Sequence, residues 1–176
     1  MHPLELFHFC PRCGSSRFVE KDFKSKRCEN CGFVYYFNSS ASTAAFITDK
    51  EGRLLVARRS KEPAKGTLDL PGGFVDLNET AEEAMEREIR EETGLKVGEV
   101  KYLFSLPNIY NYSGFDVHTV DMFFQCNVDD LSLLQPDDDV SELIFLKPEE
   151  INPELFGLNS IRKAVTIWLK MPAQKA

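Results

Sequence analysis

The segment from Gly73 to Leu95, GFVDLNETAEEAMEREIREETGL, constrains the fold of this chain more than any other. Thr80 followed three residues later by Glu83 forms a capping box, so a helix is expected to start at Thr80. Gly94 is the matching stop, because glycine adopts the left-handed conformation after a last helical turn. At about 100° per residue, Ala81, Ala84, Met85 and Ile89 share one face, and Glu82, Glu83, Glu86 and Arg90 share the opposite one. The first face is fit for burial and the second for water.

Glu88, Glu91 and Glu92 break this division. They continue the apolar stripe into the second half of the helix, and their i, i+3, i+4 spacing puts three carboxylates on one surface. Three anions facing inward near a helix C-terminus, where the macrodipole disfavours negative charge, call for a counter-ion. An oxygen-only ligand set suits magnesium, manganese or calcium better than zinc. A solvated acidic helix is the alternative, and for Arg87 a surface ion pair with Glu83 or Glu91. Ahead of the helix, Leu70-Pro71-Gly72-Gly73-Phe74 suits a tight loop whose backbone approaches a ligand, or a plain turn.

Gly73, Glu79, Arg87-Glu88-Ile89, Glu91-Glu92 and Gly94-Leu95 match the Nudix box at every defining position, so the chain resembles a Nudix hydrolase. The resemblance implies an α/β/α sandwich with a mixed sheet between helices. It also implies magnesium- or manganese-dependent cleavage of a diphosphate bond in a nucleoside-diphosphate-linked compound. Within it, Glu88, Glu91, Glu92 and the Gly72 carbonyl would hold the metal, Arg87 would orient the carboxylates, and Glu79 would join their network.

Cys10-Pro11-Arg12-Cys13-Gly14 and Cys28-Glu29-Asn30-Cys31-Gly32 are two knuckles whose spacing reads as a four-thiolate zinc site, a zinc ribbon over residues 1–37. Four protein thiolates leave no position open for water, so the zinc is expected to be structural and to supply folding energy to a segment too short for a core. A pair of disulfides in a secreted chain is the competing reading. The absence of a signal-like N-terminus and the odd fifth cysteine, Cys126 in an apolar run, weigh against it. His2, His8 and His118 fit no ligand spacing and are read as surface residues.

The remaining residues, 38–176, form the larger domain. The formal charge is −7; the first 37 residues carry six Lys/Arg against four Asp/Glu, leaving −9 for the rest. An acidic body argues against broad nucleic-acid binding and requires metal ions to accompany a phosphate substrate. There is no apolar run of about 18 residues, hence no membrane helix, and a cytoplasmic location is expected.

The patterning predicts strands at 44–48 and 53–58 as a hairpin, a loop at 60–67, strands at 97–105 and 117–128 separated by a loop from Pro107 to Gly114, a strand at 142–146, a helical turn at 148–151 and a helix over 158–171. Hairpins mixed with helices give an α+β class. Tyr110, Tyr112 and Phe115 are placed in a glycine-bearing loop after a strand as aromatics able to stack on a base, or as a hydrophobic plug or dimer contact. Arg58 and Arg59 end a strand near the cleft; one is expected to contact phosphate. Asp137-Asp138-Asp139 and Glu142 are candidates for a further ligand or general base, or for a solvated acidic turn.

A ribbon before the box is similar to the NADH pyrophosphatase branch. That branch carries S-Q-P-W-P-F-P-x-S beyond the box. Here Ser105, Pro107 and Ser113 agree and Tyr110 replaces the Phe, while the Gln, the Trp and two prolines are missing. ADP-ribose is an equal candidate substrate, although residue 111 is Asn where many ADP-ribose pyrophosphatases carry proline. The competing class is a catalytically silent nucleotide sensor, or a nucleic-acid-binding regulator using the ribbon. A scaffold role for the ribbon, completing a homodimer, is favoured over nucleic acid.

Overall fold

The computed structural model describes residues 2–112, 114–128, 130–136 and 140–172. The N-terminal unit opens with a 3-10 turn at Pro3–Leu6 and builds an antiparallel sheet from β1 (Phe18–Asp22), β2 (Ser25–Cys28) and β3 (Val34–Tyr36). Cys10, Phe18 and Cys28 are its buried centre, with Phe7, Phe33 and Tyr35 packed around them. His2 is not a bare surface residue: its ring Nδ1 accepts the Leu4 N–H and caps the first turn.

The rest of the chain runs β4 (Ser40–Ile47), β5 (Leu54–Arg59), β6 (Leu68–Asp69), α1 (Ala81–Thr93), β7 (Val97–Tyr112), β8 (Phe115–Val128), β9 (Val140–Leu146) and α2 (Asn159–Trp168). β4, β8 and β7 form one sheet in that order, with β4 and β8 parallel. β6, β5 and β9 form another, antiparallel throughout. Strand alternation then fixes the layers. Ala44, Phe46, Leu54, Val56 and Phe123 point to a core closed by Ile161, Ala164 and Val165 of α2. Ala45, Ile47, Leu55, Phe124 and Cys126 point to a second core closed by Met85 and Ile89 of α1. A helix on each face of a mixed layer is the sandwich that the resemblance implies. Cys126 is a buried thiol, its pKa pushed up to about 12 by burial.

Two expectations are corrected. β4 and β5 are joined by one bridge, Thr48 to Leu54, and then part into different sheets. Both are apolar on both faces, and each finds partners of its own: β5 lies between β6 and β9, while β4 pairs with β8 on one side and is covered by the Pro71–Val75 segment on the other. The expected loop from Pro107 to Gly114 is instead a continuation of β7, which pairs with β8 from Val97–Val128 to Tyr112–Phe115. β7 is an edge strand, which is where a strand tolerates the missing N–H of Pro107.

The N-terminal unit leans on the tip of this hairpin. The Phe7 ring stacks on Phe115 at 6.0 Å between centroids, and Phe37 meets Phe115 and His118 edge-on. No helix among the described residues is long and apolar enough to cross a membrane.

Candidate active site

Helix α1 is fixed at both ends by its own sequence. Thr80 Oγ1 accepts the Glu83 N–H, Glu83 accepts the Thr80 N–H, and Gly94 closes the helix at φ 73°. Met85 and Ile89 are fully buried, and this rotation carries Glu88, Glu91 and Glu92 to the wall of a cavity of about 350 Å³.

The Pro71–Val75 segment lies antiparallel along the free edge of β4. Ala45 N–H donates to the Pro71 carbonyl at 2.8 Å, Thr43 N–H to Gly73 at 2.8 Å, and Val75 N–H to Ala41 at 3.1 Å. The β4 edge therefore uses the carbonyls of Pro71 and Gly73 but not that of Gly72, whose N–H donates to Glu92 Oε2 at 2.9 Å. Gly72 has φ 148°, and a Cβ there would collide with the β4 backbone. A Cβ on Gly73 would collide with the Glu88 carboxylate. Both glycines are demanded by close approach.

Arg87 ties the acids together. Its guanidinium donates to both Glu79 oxygens at 2.9 Å, to Glu88 Oε1 at 2.7 Å, to Glu91 Oε2 at 3.2 Å and to the Phe74 carbonyl at 2.9 Å. The Glu79 hydrogen bonds hold the Arg87 pKa well above its usual value, and Arg87 in turn lowers that of Glu79. Burial pushes the Glu88 carboxyl up, against the pull of Arg87. With Arg87 seated against Glu88 and Glu91 and Glu92 turned to Gly72, the glutamate oxygens are spread out. Among the described residues, the one Cys/His/Asp/Glu group whose ligand atoms all lie within 4.8 Å of each other is the thiol set.

The opposite wall carries Arg59, Asp69 and Tyr110. Arg59 NH1 pairs with Asp69 Oδ2 at 2.5 Å, NH2 donates to the Tyr110 hydroxyl at 3.2 Å, and Nε to the Pro63 carbonyl at 2.8 Å. Burial pushes the Asp69 carboxyl up in spite of Arg59. The floor is Asp121 with Ser42, Thr119 and Asn108.

The structure separates the other sequence candidates from this cavity. Strand alternation turns Arg58 to the far side of β5, where Nε meets Glu142 Oε2 at 2.9 Å and NH1 the Gly66 carbonyl at 3.0 Å. Arg59 is the arginine that lines the cavity, and Glu142 is engaged by Arg58 at the surface. Tyr110 lines the cavity, but Tyr112 is 60% exposed near the hairpin tip and Phe115 packs on the N-terminal unit. Asp137-Asp138-Asp139 lie outside the described residues. Asp69, Asp121 and Asn108 were not singled out in the sequence. A signal was present for Asp121, a lone carboxylate in the apolar run from Val117 to Phe124.

The four N-terminal thiols converge: Cys10 Sγ is 3.7 Å from Cys31 Sγ, and Cys13 Sγ is 3.6 Å from Cys28 Sγ. A zinc tetrahedron with Zn–S bonds of about 2.3 Å has edges of about 3.8 Å, so the set fits that ion. The Ser15 backbone and the Asn30 amide lower the Cys13 thiol to about 6, favouring the thiolate that a metal takes.

Residues 38–169 match the NUDIX domain model. The chain belongs to the Nudix family. It superposes on the crystal structure of a NUDIX hydrolase from Nitrosomonas europaea with a TM-score of 0.71 at 23% identity, over 92% of this chain and 90% of that one. It is 38% identical over 104 residues to the NAD-capped RNA hydrolase NudC of Chromobacterium violaceum, covering 57% of this chain and 38% of that protein. It is 47% identical over 64 residues to the ADP-ribose pyrophosphatase of Methanocaldococcus jannaschii, covering 35% of this chain and 38% of that protein. The matched Nudix segment thus spans well under half the length of these curated relatives.

Proposed function

We propose that this Nudix protein hydrolyses the diphosphate bond of a nucleoside diphosphate derivative, ADP-ribose or an NAD(H)-like dinucleotide, and releases a nucleoside monophosphate. The observation that carries the reading is an intact box whose three glutamates, Glu88, Glu91 and Glu92, share one cavity wall with the Gly72-Gly73 loop. The names of the two relatives support the substrate class.

Glu88, Glu91, Glu92 and the Gly72 carbonyl would hold magnesium or manganese; a hard all-oxygen set in a cavity with few cations fits such an ion. When bound, the metal would offset charge on the diphosphate and lower the pKa of a water molecule. Arg87 and Glu79 position Glu88 and Glu91. Glu88 acts as ligand or as general base, the two roles open to a carboxylate at this position on the cavity wall. Water attacks one phosphorus in line and the other phosphate leaves. Tyr110, at the cavity mouth with Phe74 edge-on at 5.8 Å, offers a ring to a base.

Residues 1–37 and 38–176 are taken as two units, the first held by a structural zinc and serving as a scaffold. Its apolar rim of Leu6 and Phe9 is offered to a second copy of the chain in a homodimer.

The test is product analysis with magnesium and, in parallel, ADP-ribose, NADH, NAD, diadenosine polyphosphates and nucleoside triphosphates. AMP release from ADP-ribose or NADH, abolished in Glu92→Gln, is expected. Binding of nucleotide without turnover of any substrate would move the assignment to a silent sensor.

A further inference from the structure

We propose that the floor of the cavity, Asp121 with Ser42, Thr119 and Asn108, is a subsite that reads a vicinal diol, the mark of a ribose-type sugar attached to the diphosphate; the proposal rests on the hydrolase reading above.

The floor is laid out by strand register. Ser42 on β4 faces Asp121 on β8, and Thr119, two residues before Asp121, faces Asn108 on β7. All four side chains point to one face of the sheet and line the cavity. Asp121 is 6% exposed and Asn108 8%.

A carboxylate so deeply placed needs compensation. Asp121 gets it from hydroxyls and not from a cation. Ser42 Oγ and Thr119 Oγ1 donate to Oδ1, and Ser160 Oγ at the start of α2 donates to Oδ2. Arg59 is committed to Asp69, and among the described residues Asp121 has no ion-pair partner.

This arrangement determines what the floor accepts. A carboxylate has about four lone-pair positions, so three donors leave one at Oδ2. The hydroxyls of Ser42 and Thr119 direct their hydrogens at Asp121, so what they have left for a ligand is lone pairs. The floor is thus an array of acceptors that repels phosphate and selects groups with protons to give. Asn108 differs: its amide both donates and accepts, and among the described residues it has no protein hydrogen-bond partner. Two adjacent sugar hydroxyls, each a donor and an acceptor, satisfy Asp121 and Asn108 together. A carboxylate taking ribose hydroxyls is the chemistry by which dinucleotide sites elsewhere hold their sugar. Leu158, Ile161 and Val140 supply apolar contact beside it.

The experiment compares ADP-ribose with two analogues, one lacking the adenosine diol and one lacking the diol of the distal ribose, plus the inosine counterpart that lacks the base amine. Wild-type enzyme is expected to lose a factor of about 10 or more in kcat/KM on one of the two diol-less analogues, chiefly through KM. In Asp121→Asn the ratio between ADP-ribose and that analogue is expected to fall to about 1. Asn108→Ala provides the same reading should the first variant melt early.

Wild-type enzyme that treats both diol-less analogues like ADP-ribose overturns the proposal. So do variants that lose activity equally on every compound, and so does discrimination that tracks the base amine instead. Should wild-type protein turn over nothing, the hydrolase reading fails by itself. The floor is then judged by calorimetric binding of ADP-ribose and the same analogues with magnesium, where equal affinities overturn it.

Discussion

Gly73 shows how much a single atom matters in this site. Its missing side chain leaves the room in which the Glu88 carboxylate sits, and its carbonyl anchors the loop to β4. Gly73→Ala is expected to displace Glu88 while leaving both cores intact. The measurement is kcat/KM against ADP-ribose beside a thermal melt: a loss of roughly 100-fold with an almost unchanged Tm, the scale of a misplaced catalytic group. Asp49 makes the complementary case for stability. Burial raises its pKa, but N–H donors from Arg53 and Glu51 and the Arg53 guanidinium outweigh that and hold it below its usual 3.8. A depressed folded-state pKa stabilises above the unfolded value and is lost as pH falls through the folded one. Asp49→Ala should therefore lower Tm at neutral pH, and the gap to wild type should close in melts below pH 3.8. A constant gap would assign the effect to packing.

At the scale of elements, helix α1 is legible because its instructions are local. The Thr80–Glu83 box, the Met85–Ile89 stripe and Gly94 act within a few residues of each other, and all three stand as read. Thr80→Ala is expected to cost about 1 kcal/mol in chemical denaturation. Gly94→Ala should cost about as much or more, because φ 73° disfavours a side chain and the new Cβ would press on the Leu133 carbonyl. Strands β4 and β5 are the contrast. Their apolar residues mark them as strands, but nothing local says that they part after one bridge. Likewise Pro107 reads as a break until the edge position of β7 is known.

For the whole molecule, the link between the N-terminal unit and the hairpin tip is a small aromatic contact, Phe7 and Phe37 on Phe115. A unit built around its own four-thiol set and docked so lightly should be separable. Removing zinc with a chelator is expected to release about one equivalent of metal per chain and to open residues 1–37 to protease while the Nudix core survives. Phe115→Ala should loosen the same unit without metal loss. Cleavage spreading at once through residues 38–169 would mean that the two units fold as one. A dimer that dissociates on chelation would place the interface on the N-terminal unit.

The amino-acid sequence by itself determined the capped helix, the three glutamates on one helix surface (with Glu91 the exposed one), the glycine loop and the thiol set, because each depends on residues a turn or a knuckle apart. Only the tertiary structure chose Arg59 over Arg58, sent Phe115 to the N-terminal unit, and brought Asp121, Ser42, Thr119 and Asn108 together on one floor. Those choices depend on strand register, and register is decided by which strands become neighbours: a shift of one residue turns every side chain to the other face.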